Sequence, residues 1–572
     1  MSDLIMGIWG YSADSRAITH DSGAALVQDG KVIAAINEER LTRKKIEGCF
    51  PFKSIKKVCE IAGVAPEQID AVALAGLGPR SRSFKMLKYI FRTWRETGIT
   101  LWGRTKYALL TAKKIRRTVP KELAGKKVVN VDHHLAHAAS GYYTCPWPEA
   151  TVVTLDGIGD SAVCATVCTG KNGVLTRHWE CNGYYSPGIF YTFITKRFGF
   201  SPSKHEGKIT GLAAYGDYKL TIEKMRDIIR YDDKKHAFFS TYIPGLFKSK
   251  GYGDWHLPII DDLLDEVTRE HVAAGLQQLT EEVVCSYVAD AVKKTGVRNV
   301  ALSGGVFSNV KVNQRIRELD CVDNVYVHPN MGDGGMTIGA AYYLWAQRML
   351  KRGEKPLPQF LPTVYLGPSF TDEEIEAEIK KAELPFRKVE KVEEEIATLL
   401  REKKIVGRFA GRMEYGPRAL GNRSILAEAT DKTINDWLND RLKRTEFMPF
   451  APSIIEEYAG EFYTGWQQDH VAARFMTITY DVPEEKGRLV PAVTHVDATA
   501  RPQVVRKQDN PSYHRIIEAY KELTGLPVII NTSFNMHEEP IVCTPADAIR
   551  SFLHGSVDVL AMERYLIFNK DQ

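Results

Sequence analysis

The sequence lacks the features of a secreted, membrane-embedded or disulfide-bonded protein. Its 572 residues contain no run of twenty apolar side chains, and its first residues show no basic segment followed by an apolar one. The nine cysteines are scattered, odd in number and never spaced as CxxC, which argues against a disulfide framework and a thiolate zinc site. These absences predict a soluble, unsecreted protein, which we expect in the cytoplasm.

The composition is that of a globular protein, with 44% hydrophobic and 26% charged residues. The net charge of +5 is close to balance, but residues 80–127 contain fifteen Lys or Arg against two Glu. The simplest interpretation of this basic stretch is a solvated helical insertion. The functional alternative is a surface that binds an anionic acceptor, acidic lipid headgroups or nucleic acid.

The hydrophobic pattern predicts an α/β protein with a duplicated first domain. LIMGIWGYS and the two apolar runs around Asp29-Gly30 predict a strand followed by a β-hairpin, and EATVVTLDGIGDSAVCATV repeats the pattern. Strand–helix units follow each hairpin. We therefore predict one duplicated domain over residues 1–352, a proline-containing linker over 353–372, and a second α/β domain over 373–572.

The segment DHHLAHA has the spacing of a metal-binding helix. His133 and His137 are four residues apart, which places both imidazoles on one helix face. Asp156 and Asp333, at the ends of two predicted strands, are the nearest candidates for further ligands. Two imidazoles and two carboxylates would suit Fe(II), Mn(II) or Zn(II). The alternative is a buried histidine pair or a helix cap without a metal.

Glycine-rich turns follow several predicted strands, in the segments His20–Gly23, Asp156–Asp160, Ser303–Gly305 and Gly332–Gly335. Glycine lets the main chain approach phosphate closely, although any single one of these segments could be only a tight turn. Together, on a duplicated α/β frame, they look like the ATP-binding turns of actin, sugar kinases and Hsp70.

A second group of candidate residues lies in the C-terminal part of the chain. The glycine-flanked loop GRMEYGPRALGNRS contains Arg418 and Arg423, whose guanidinium groups would suit a phosphate or carboxylate ligand. The segment NTSFN follows the apolar strand LPVII, at the strand end where α/β sheets bind ligands. A salt-bridged surface is the alternative interpretation of the arginines.

These motifs occur in an order that resembles the O-carbamoyltransferase family, which includes tobramycin, cephalosporin and nodulation-factor carbamoyltransferases. The resemblance rests on HDSGAALV, NEERLTRKK, HHLAHAAS, LDGIGD, EGKITGLAAYG, SGGVFSNV, GDGG, GRMEYGPRALGNRS and NTSFN, and it extends over essentially the whole chain. In that family the N-terminal part is similar to the Kae1 protein of tRNA threonylcarbamoylation, with an actin/Hsp70-type fold. The C-terminal part is similar to YrdC.

The resemblance implies a reaction and the residues that perform it. His133, His137, Asp156 and Asp333 would hold Fe(II), with Mn(II) and Zn(II) as alternatives. The C-terminal domain would bind carbamoyl phosphate and ATP, with Mg, and form carbamoyl adenylate; its implied ligands are Arg418, Arg423, Arg501, Ser533 and Asn535. The N-terminal domain would receive the adenylate, and its implied ligands are Glu206, Lys208, Gly304, Gly305 and Asn309.

His20 matches the family's histidine near the acceptor, and it is the candidate general base, because an imidazole suits deprotonation of an alcohol at neutral pH. It could instead only position the acceptor or hold the bend in which it lies. For Glu206 and Lys208 the alternative is an ion pair that supports the fold.

The expected acceptor is a hydroxyl of a small molecule or sugar, in a natural-product or glycan precursor, and an anionic one if the basic stretch 80–127 takes part. We expect no nucleic acid partner; an oligomer is possible, but the sequence does not define the oligomeric state. The alternative functions are a tRNA threonylcarbamoyl transferase, an ATP-regulated binding module of the Hsp70 type and, less favoured, a sugar kinase.

Overall fold

The computed structural model divides the chain into two compact units. It describes residues 3–10, 20–76, 123–240, 257–441, 449–555 and 557–569. The first unit consists of Met1–Glu38 and Ile46–Leu361, and the second of Glu39–Lys45 and Pro362–Gln572. The division at Leu361 falls inside the segment expected to be a linker. The short segment Glu39–Lys45 belongs to the second unit, which the sequence did not indicate.

The first sheet of unit one opens with a β-hairpin pair and ends with parallel strands. Its strands are β1 Leu4–Trp9, β2 Gly23–Gln28, β3 Lys31–Asn37, β4 Ala71–Ala75 and β5 Lys127–Val131. Their order is β3-β2-β1-β4-β5, with β1, β2 and β3 antiparallel and β1, β4 and β5 parallel. All six residues of β1 are buried, as expected for a central strand covered on both faces.

The second sheet of unit one repeats this topology. The next strands are β6 Glu149–Leu155, β7 Val163–Lys171, β8 Val174–Asn182, β9 Arg230–Asp232, β10 Ala237–Phe239, β11 Asn299–Ser303 and β12 Asn324–Val327. The order β12-β11-β6-β7-β8, with β6, β7 and β8 antiparallel and β6, β11 and β12 parallel, matches the first sheet strand for strand. The predicted duplication is therefore confirmed. Strands β9 and β10 form a separate two-stranded ribbon.

Helices connect and cover these sheets. They are Glu39–Thr42, which lies in unit two, and Phe52–Ala62, His133–Tyr143, Pro187–Arg197, Glu206–Ala213, Ile222–Met225, Pro258–Glu266, Arg269–Thr295, Val310–Arg317 and Met336–Lys351. Two of them, His133–Tyr143 and Met336–Lys351, approach each other so closely that a Cβ atom at Gly339 would lie 1.9 Å from the carbonyl oxygen of Ala136. Glycine is required there because any side chain would force the two backbones apart.

Unit two is a mixed α/β layer structure. Its strands are β13 Phe386–Lys388, β14 Val406–Phe409, β15 Arg423–Ala427, β16 Ala451–Ile455, β17 Tyr480–Asp481, β18 Thr499–Ala500, β19 Gln503–Val505, β20 Val528–Ser533, β21 Val559–Met562 and β22 Tyr565–Ile567. Eight of them form one sheet in the order β13-β22-β21-β14-β15-β20-β16-β19. Its helices are Asp372–Lys381, Val392–Arg401, Ile434–Arg441, Ala459–Phe462, Glu484–Leu489, Pro511–Thr524 and Pro545–Leu553.

Both faces of this eight-stranded sheet are covered by apolar contacts. On one face Ile396 and Ile517, from two helices, pack on strand residues such as Leu426. On the other face Ile379 and Phe552, again from two helices, pack in a separate cluster. The α/β fold class is therefore confirmed for both units. The likeness of unit two to YrdC stays a prediction.

Candidate metal centre and flanking sites

The candidate metal ligands come from the ends of three strands in unit one. Strand β5 runs into the helix His133–Tyr143, whose first turn is capped by Asp132: the amide of Leu135 donates to the Asp132 carboxylate over 3.0 Å. Asp156 follows β6 directly, and Asp333 lies in the glycine turn after β12. Parallel strands bring their carboxyl ends to the same edge of a sheet, so this topology brings the two carboxylates together.

The four predicted ligands meet in one cluster. One ligand atom from each of His133, His137, Asp156 and Asp333 lies within 4.8 Å of the other three. The Nε2 atoms of His133 and His137 lie 3.2 Å and 3.3 Å from Oδ2 of Asp156, and 3.7 Å and 3.4 Å from Oδ1 of Asp333. Both imidazoles and Asp333 are buried, so these polar atoms are largely removed from water.

The electrostatics of the cluster favour a bound cation. Burial alone would raise the pKa of Asp156, but the imidazoles of His133 and His137 hold it well below its ordinary value. Burial alone would lower the pKa of His133, yet the carboxylates of Asp333, Asp156 and Asp160 raise it to about 9. Without a metal, protonated histidine therefore supplies the positive charge that the carboxylates of Asp156 and Asp333 require.

Two atoms of the cluster are left without a hydrogen bond. Nε2 of His137 and Oδ1 of Asp333 are both buried and make none with the described residues. Buried polar atoms are normally satisfied, so two unsatisfied atoms that point into one cluster fit a site that holds a cation. The donor set of two imidazoles and two carboxylates, with no sulfur, suits Fe(II), Mn(II) and Zn(II) alike. The residues present fit a divalent metal.

The three neighbouring histidines have different roles. His134 points away from the cluster: its Nδ1 lies 2.9 Å from Oγ1 of Thr154, and its Nε2 donates to the carbonyl oxygen of Val163 over 2.9 Å. Burial and the neighbouring imidazoles lower the pKa of His134 to about 3, so it is neutral. His134 packs in the core, whereas His133 and His137 face the site, as their four-residue spacing predicts.

Two residues that the sequence did not nominate support the cluster. Oγ of Ser303 lies 3.1 Å from Nδ1 of His137, where it can accept a hydrogen bond from the Nδ1–H group. Nε2 is then left to bind a metal. The carboxylate of Asp160 accepts the main-chain N–H of His133 over 2.9 Å. Both belong to glycine-rich motifs already recognised, SGG and DGIGD, but only the fold shows that their side chains reach the histidine helix.

His20 lies at the edge of this cluster. Its Nε2 is 3.9 Å from Oδ2 of Asp333, and its Nδ1 is 3.0 Å from Oδ2 of Asp21. The ring is 29% exposed, so it can reach a bound molecule. Burial alone would lower the pKa of His20, but Asp333 and Asp21, with a contribution from Asp156, raise it to about 10.

The predicted nucleotide turn touches the metal cluster directly. Gly304 has φ +117°, and a Cβ atom there would lie 2.2 Å from the carbonyl oxygen of Leu155. A Cβ atom at Gly305 would lie 2.9 Å from Oδ1 of Asp156. Glycine is therefore required at position 304 by the main chain, whereas a side chain at position 305 would displace the carboxylate of Asp156, a candidate metal ligand.

The other candidates for this subsite are held by local bonds. The carboxylate of Glu206 accepts from the amide of Ser203 over 2.6 Å and from the hydroxyl of Thr192 over 3.0 Å. Lys208 is buried, with its ammonium 5.6 Å from the centre of the Phe200 ring. The side chain of Glu206 thus links the turn before its helix to the helix Pro187–Arg197.

A buried polar network connects this helix with the SGGVFSN motif. The hydroxyl of Tyr191 lies 2.8 Å from that of Thr210 and donates to Gln277 over 3.0 Å. The amide of Asn309 donates to Gln277 over 2.8 Å, while its oxygen caps the helix Val310–Arg317. Asn309 therefore positions the turn, and Tyr191 and Gln277 are residues that sequence motifs alone did not single out.

In unit two, the arginine-rich loop is built around a buried carboxylate that the sequence did not indicate. Oε1 of Glu414 accepts from the main-chain amides of Leu420, Asn422 and Arg423, over 2.8, 2.7 and 3.1 Å. Three amides around one anion fix the loop on both sides of Arg418. Arg418 itself is partly exposed, consistent with a role toward a ligand.

Arg423 has a different environment from the one expected of a ligand-binding residue. It is fully buried, with its guanidinium 3.7 Å above the Phe409 ring. Its donors bond to main-chain carbonyls, among them Ala410 over 2.6 Å and Gly411 over 3.2 Å. Burial lowers the pKa of Arg423 to about 10, although Glu414 opposes the shift. Arg423 therefore stabilises this loop rather than presenting its guanidinium to solvent.

The remaining candidates of unit two lie at strand ends. Arg501 follows β18 and is partly exposed, and Ser533 ends β20, where it pairs with Ser424 of β15. Asn535 is buried, and its amide donates to the carbonyl oxygens of Met536 and Glu539 over 2.8 and 3.0 Å. Asn535 thus closes the loop after β20. The ligand contacts predicted for these residues stay predictions.

The basic stretch 80–127 lies almost wholly outside the described residues, since residues 77–122 are not among them. Within the parts of the chain that are described, no helix is both long and apolar enough to cross a lipid bilayer.

Two sheets of identical topology, with the candidate metal cluster at their strand ends, define a protein with a duplicated α/β domain. The chain matches the sequence profile of the carbamoyltransferase N-terminus over residues 14–342 and that of the carbamoyltransferase C-terminus over residues 397–569. The protein belongs to the carbamoyltransferase family, as its motifs predicted.

Relatives match along nearly the whole chain. An uncharacterized protein of Synechocystis sp., sll1178, is 33% identical over 96% of this chain and 95% of its own. Nodulation protein NolNO of Sinorhizobium fredii is 31% identical over 96% of this chain and 79% of its own. Nodulation protein U of Rhizobium tropici is 25% identical over 91% of this chain and 90% of its own.

Proposed function

We propose that the protein is an O-carbamoyltransferase that forms carbamoyl adenylate from carbamoyl phosphate and ATP and transfers its carbamoyl group to a hydroxyl. The observation that carries the proposal is the cluster of His133, His137, Asp156 and Asp333 in a chain of the carbamoyltransferase family. A carbamoyl carbonyl is a poor electrophile, and a mixed anhydride with AMP supplies the leaving group it lacks.

The first half-reaction is assigned to unit two. Water cleaves carbamoyl phosphate to carbamate and phosphate, and a carbamate oxygen then attacks the α-phosphorus of ATP with release of pyrophosphate. Arg418 and Arg501 are partly exposed and cationic, so they are the candidates to bind these anions. Glu414 and Arg423 hold the loop that carries Arg418. Ser533 and Asn535 lie at the start of a second loop, the one that follows β20.

The second half-reaction is assigned to unit one. Fe(II), or Mn(II) or Zn(II), would be held by the four-residue cluster and would supply a Lewis acid that stabilises negative charge on the carbonyl oxygen. The acceptor oxygen attacks the carbonyl carbon, the bond to AMP breaks, and the hydroxyl proton leaves. Gly304 and Gly305 lie beside the cluster and are the candidates to contact the nucleotide.

His20 is the candidate to accept the hydroxyl proton. In the metal-free arrangement the carboxylates of Asp333 and Asp21 hold it protonated, because its pKa is raised to about 10. A metal cation held by Asp156 and Asp333 would offset the negative charge near His20. The pKa of His20 would then move back toward its ordinary value. The alternative, in which His20 only positions the acceptor, retains the same geometry.

The acceptor is proposed to be a small molecule or sugar in the cytoplasm, without nucleic acid. A tRNA threonylcarbamoyl transferase would instead depend on threonine and bicarbonate. A binding module of the Hsp70 type would show no turnover of carbamoyl phosphate, and a sugar kinase would release ADP.

The proposal is tested with purified protein, ATP and Fe(II), with and without carbamoyl phosphate and in the absence of acceptor. We expect pyrophosphate and AMP that depend on carbamoyl phosphate, and we expect both to be lost in Arg418→Ala. Arg488→Ala is the control, because Arg488 is 75% exposed and pairs only with Glu484 of its own helix in the described structure. ADP as the product, or no dependence on carbamoyl phosphate, would overturn the proposed donor chemistry.

A further inference from the structure

The segment Glu39–Lys45 is in the N-terminal part of the sequence but belongs to unit two. It contains the ERLTRKK part of the NEERLTRKK motif, for which the proposed reaction gives no role. The chain leaves unit one after Glu38 and returns to it at Ile46. Between these points lies a short helix, Glu39–Thr42. Arg40 lies in this helix, and Arg43 follows its last residue.

Arg40 contacts the loop that carries Arg418. It is only 5% exposed, and its Nη2 donates to the carbonyl oxygen of Gly416 over 2.8 Å. Its Nη1 lies 3.2 Å from the carboxylate of Glu39, which balances its charge. Gly416 is two residues before Arg418 and has φ +117°, so the carbonyl held by Arg40 lies at a sharp bend of this loop.

Arg43 contacts the second candidate loop. Its Nη1 and Nη2 donate to two consecutive carbonyl oxygens, those of Ile541 and Pro540, each over 2.7 Å. Its guanidinium also lies 3.4 Å from Asp547 and 3.6 Å from Glu539. A planar fork that bonds two neighbouring carbonyls fixes their orientation as well as their distance.

That second loop is tied to the other candidates by main-chain bonds. The amide of Val542 donates to the carbonyl oxygen of Phe534 over 2.9 Å, and the amide of Phe534 donates to that of Arg423 over 3.0 Å. Asn535 bonds Glu539 across the loop. A displacement of Pro540 and Ile541 would therefore be passed to Ser533 and Asn535, which lie at the start of the loop.

We propose that Arg40 and Arg43 are positioning residues for the carbamoyl phosphate and ATP site of unit two. The site is then completed by seven residues from the N-terminal part of the chain. Neither arginine is assigned a contact with substrate: each acts by holding carbonyl oxygens in the two loops that present Arg418 and Ser533. This inference rests on the proposed function, because the ligands of these loops are those of the adenylating half-reaction.

The test measures pyrophosphate release that depends on carbamoyl phosphate, with full-length protein and no acceptor. We expect Arg43→Met to raise KM for carbamoyl phosphate by about tenfold or more, since it loses two charge-assisted hydrogen bonds that orient the loop. Arg43→Lys keeps the charge near Asp547 and Glu539 but cannot bond both carbonyls in one plane, so KM should rise less. Arg40→Met should also raise KM.

Arg298→Met is the matched control. Arg298 also donates to a main-chain carbonyl, that of Asp320, over 2.7 Å, and it pairs with Asp323, but it belongs to unit one, whereas both loops belong to unit two. Metal content and the thermal midpoint are measured for every variant. A variant that only loses stability would lower kcat with the fraction of folded enzyme and leave KM unchanged.

The outcomes separate this inference from the function on which it rests. If the wild-type protein releases no pyrophosphate, the proposed function fails, and this inference fails with it. If the wild type is active and the arginine variants have the wild-type KM, or lose only kcat together with their thermal midpoint, the positioning role is overturned and the function stands. A raised KM in the Arg40 and Arg43 variants, with Arg298→Met unchanged, supports the role.

Discussion

At the scale of single residues, the site depends on how similar side chains are divided between structure and chemistry. Of the three histidines on one helix, His134 has both ring nitrogens hydrogen-bonded, to Thr154 and Val163. His133 and His137 face the cluster instead. The arginines divide in the same way, because the carbonyl bonds of Arg423 hold a loop in place. Burial and hydrogen-bond partners, rather than residue type, decide which side chains are available to a ligand.

The raised pKa of His133 predicts that metal binding releases a proton. The pKa is about 9 in the metal-free fold against an ordinary 6.5, so at pH 7 the ring is protonated and must lose its proton before Nε2 can bind a metal. The apparent affinity should rise about tenfold per pH unit from pH 7 and level off above pH 9. Calorimetry with Mn(II) in two buffers of different ionisation enthalpy counts the released protons.

His20→Asn is the control for this measurement, because the pKa of His20 is raised as well, to about 10, and its proton could also be counted. The variant keeps all four candidate metal ligands. If it binds Mn(II) at pH 7 without releasing a proton, His133 is neutral in the metal-free protein, and the electrostatic account of the cluster is wrong.

At the scale of secondary structure elements, the cluster depends on the contact between two helices. His133 and His137 lie on the helix His133–Tyr143, and Met336–Lys351 begins three residues after Asp333. The close approach at Gly339 sets the spacing between these helices. The distance between the histidines and Asp333 is therefore controlled partly by a residue that no ligand would touch.

We predict that Gly339→Ala weakens both the fold and the metal site. The new Cβ atom would lie 1.9 Å from the carbonyl oxygen of Ala136, a main-chain atom that can move only with its helix. Overpacking of this kind costs about 1–3 kcal/mol of stability, and the displaced helix should also lower metal affinity. Thermal unfolding and calorimetry measure the two effects on the same protein.

Gly207→Ala serves as the matched control, since Gly207 lies inside the helix Glu206–Ala213 and a Cβ atom there meets nothing within 4 Å. Alanine favours a helix over glycine, so this variant should be as stable as the wild type or slightly more so. Equal thermal midpoints and equal metal affinities for both variants would contradict the importance of the Gly339 contact.

The sequence predicts local relations better than long-range ones. The four-residue spacing of His133 and His137 predicts one helix face, and the positions of Asp156 and Asp333 at strand ends predict their meeting, because helix periodicity and sheet topology are regular. No local pattern indicates that Glu39–Lys45 belongs to unit two. Its position depends on hydrogen bonds to carbonyl oxygens that lie hundreds of residues away in the sequence.

Glu414 and Arg423 show the same limit on a shorter range. Both are charged residues in a glycine-rich loop, a pattern that favours ligand binding when only the sequence is known. Their partners are instead amides and carbonyls of that loop, and main-chain groups carry no residue-specific pattern along the sequence. The backbone path has to be known before such a side chain can be assigned to the fold rather than to a ligand.

At the scale of the whole molecule, the proposed chemistry is divided between two compact units. The metal cluster is built wholly from unit one, and Arg418 and Glu414 lie wholly in unit two. If adenylation belongs to unit two and transfer to unit one, each half-reaction should be removable without loss of the other. Replacing a residue of the metal cluster should therefore remove transfer and leave adenylation. Replacing a residue of the arginine loop should remove adenylation and leave the metal cluster intact.

We predict that His137→Ala loses transfer but keeps adenylation. Removing one of four ligands should weaken metal binding more than about 100-fold, beyond the loss typical of residues that only support a ligand. Release of pyrophosphate that depends on carbamoyl phosphate should stay near the wild-type rate, because no ligand of unit two has changed. Arg418→Ala should show the reverse, with wild-type metal content and no pyrophosphate. Equal loss of pyrophosphate in both variants would mean that the metal takes part in adenylation, and the division of labour between the units would have to be abandoned.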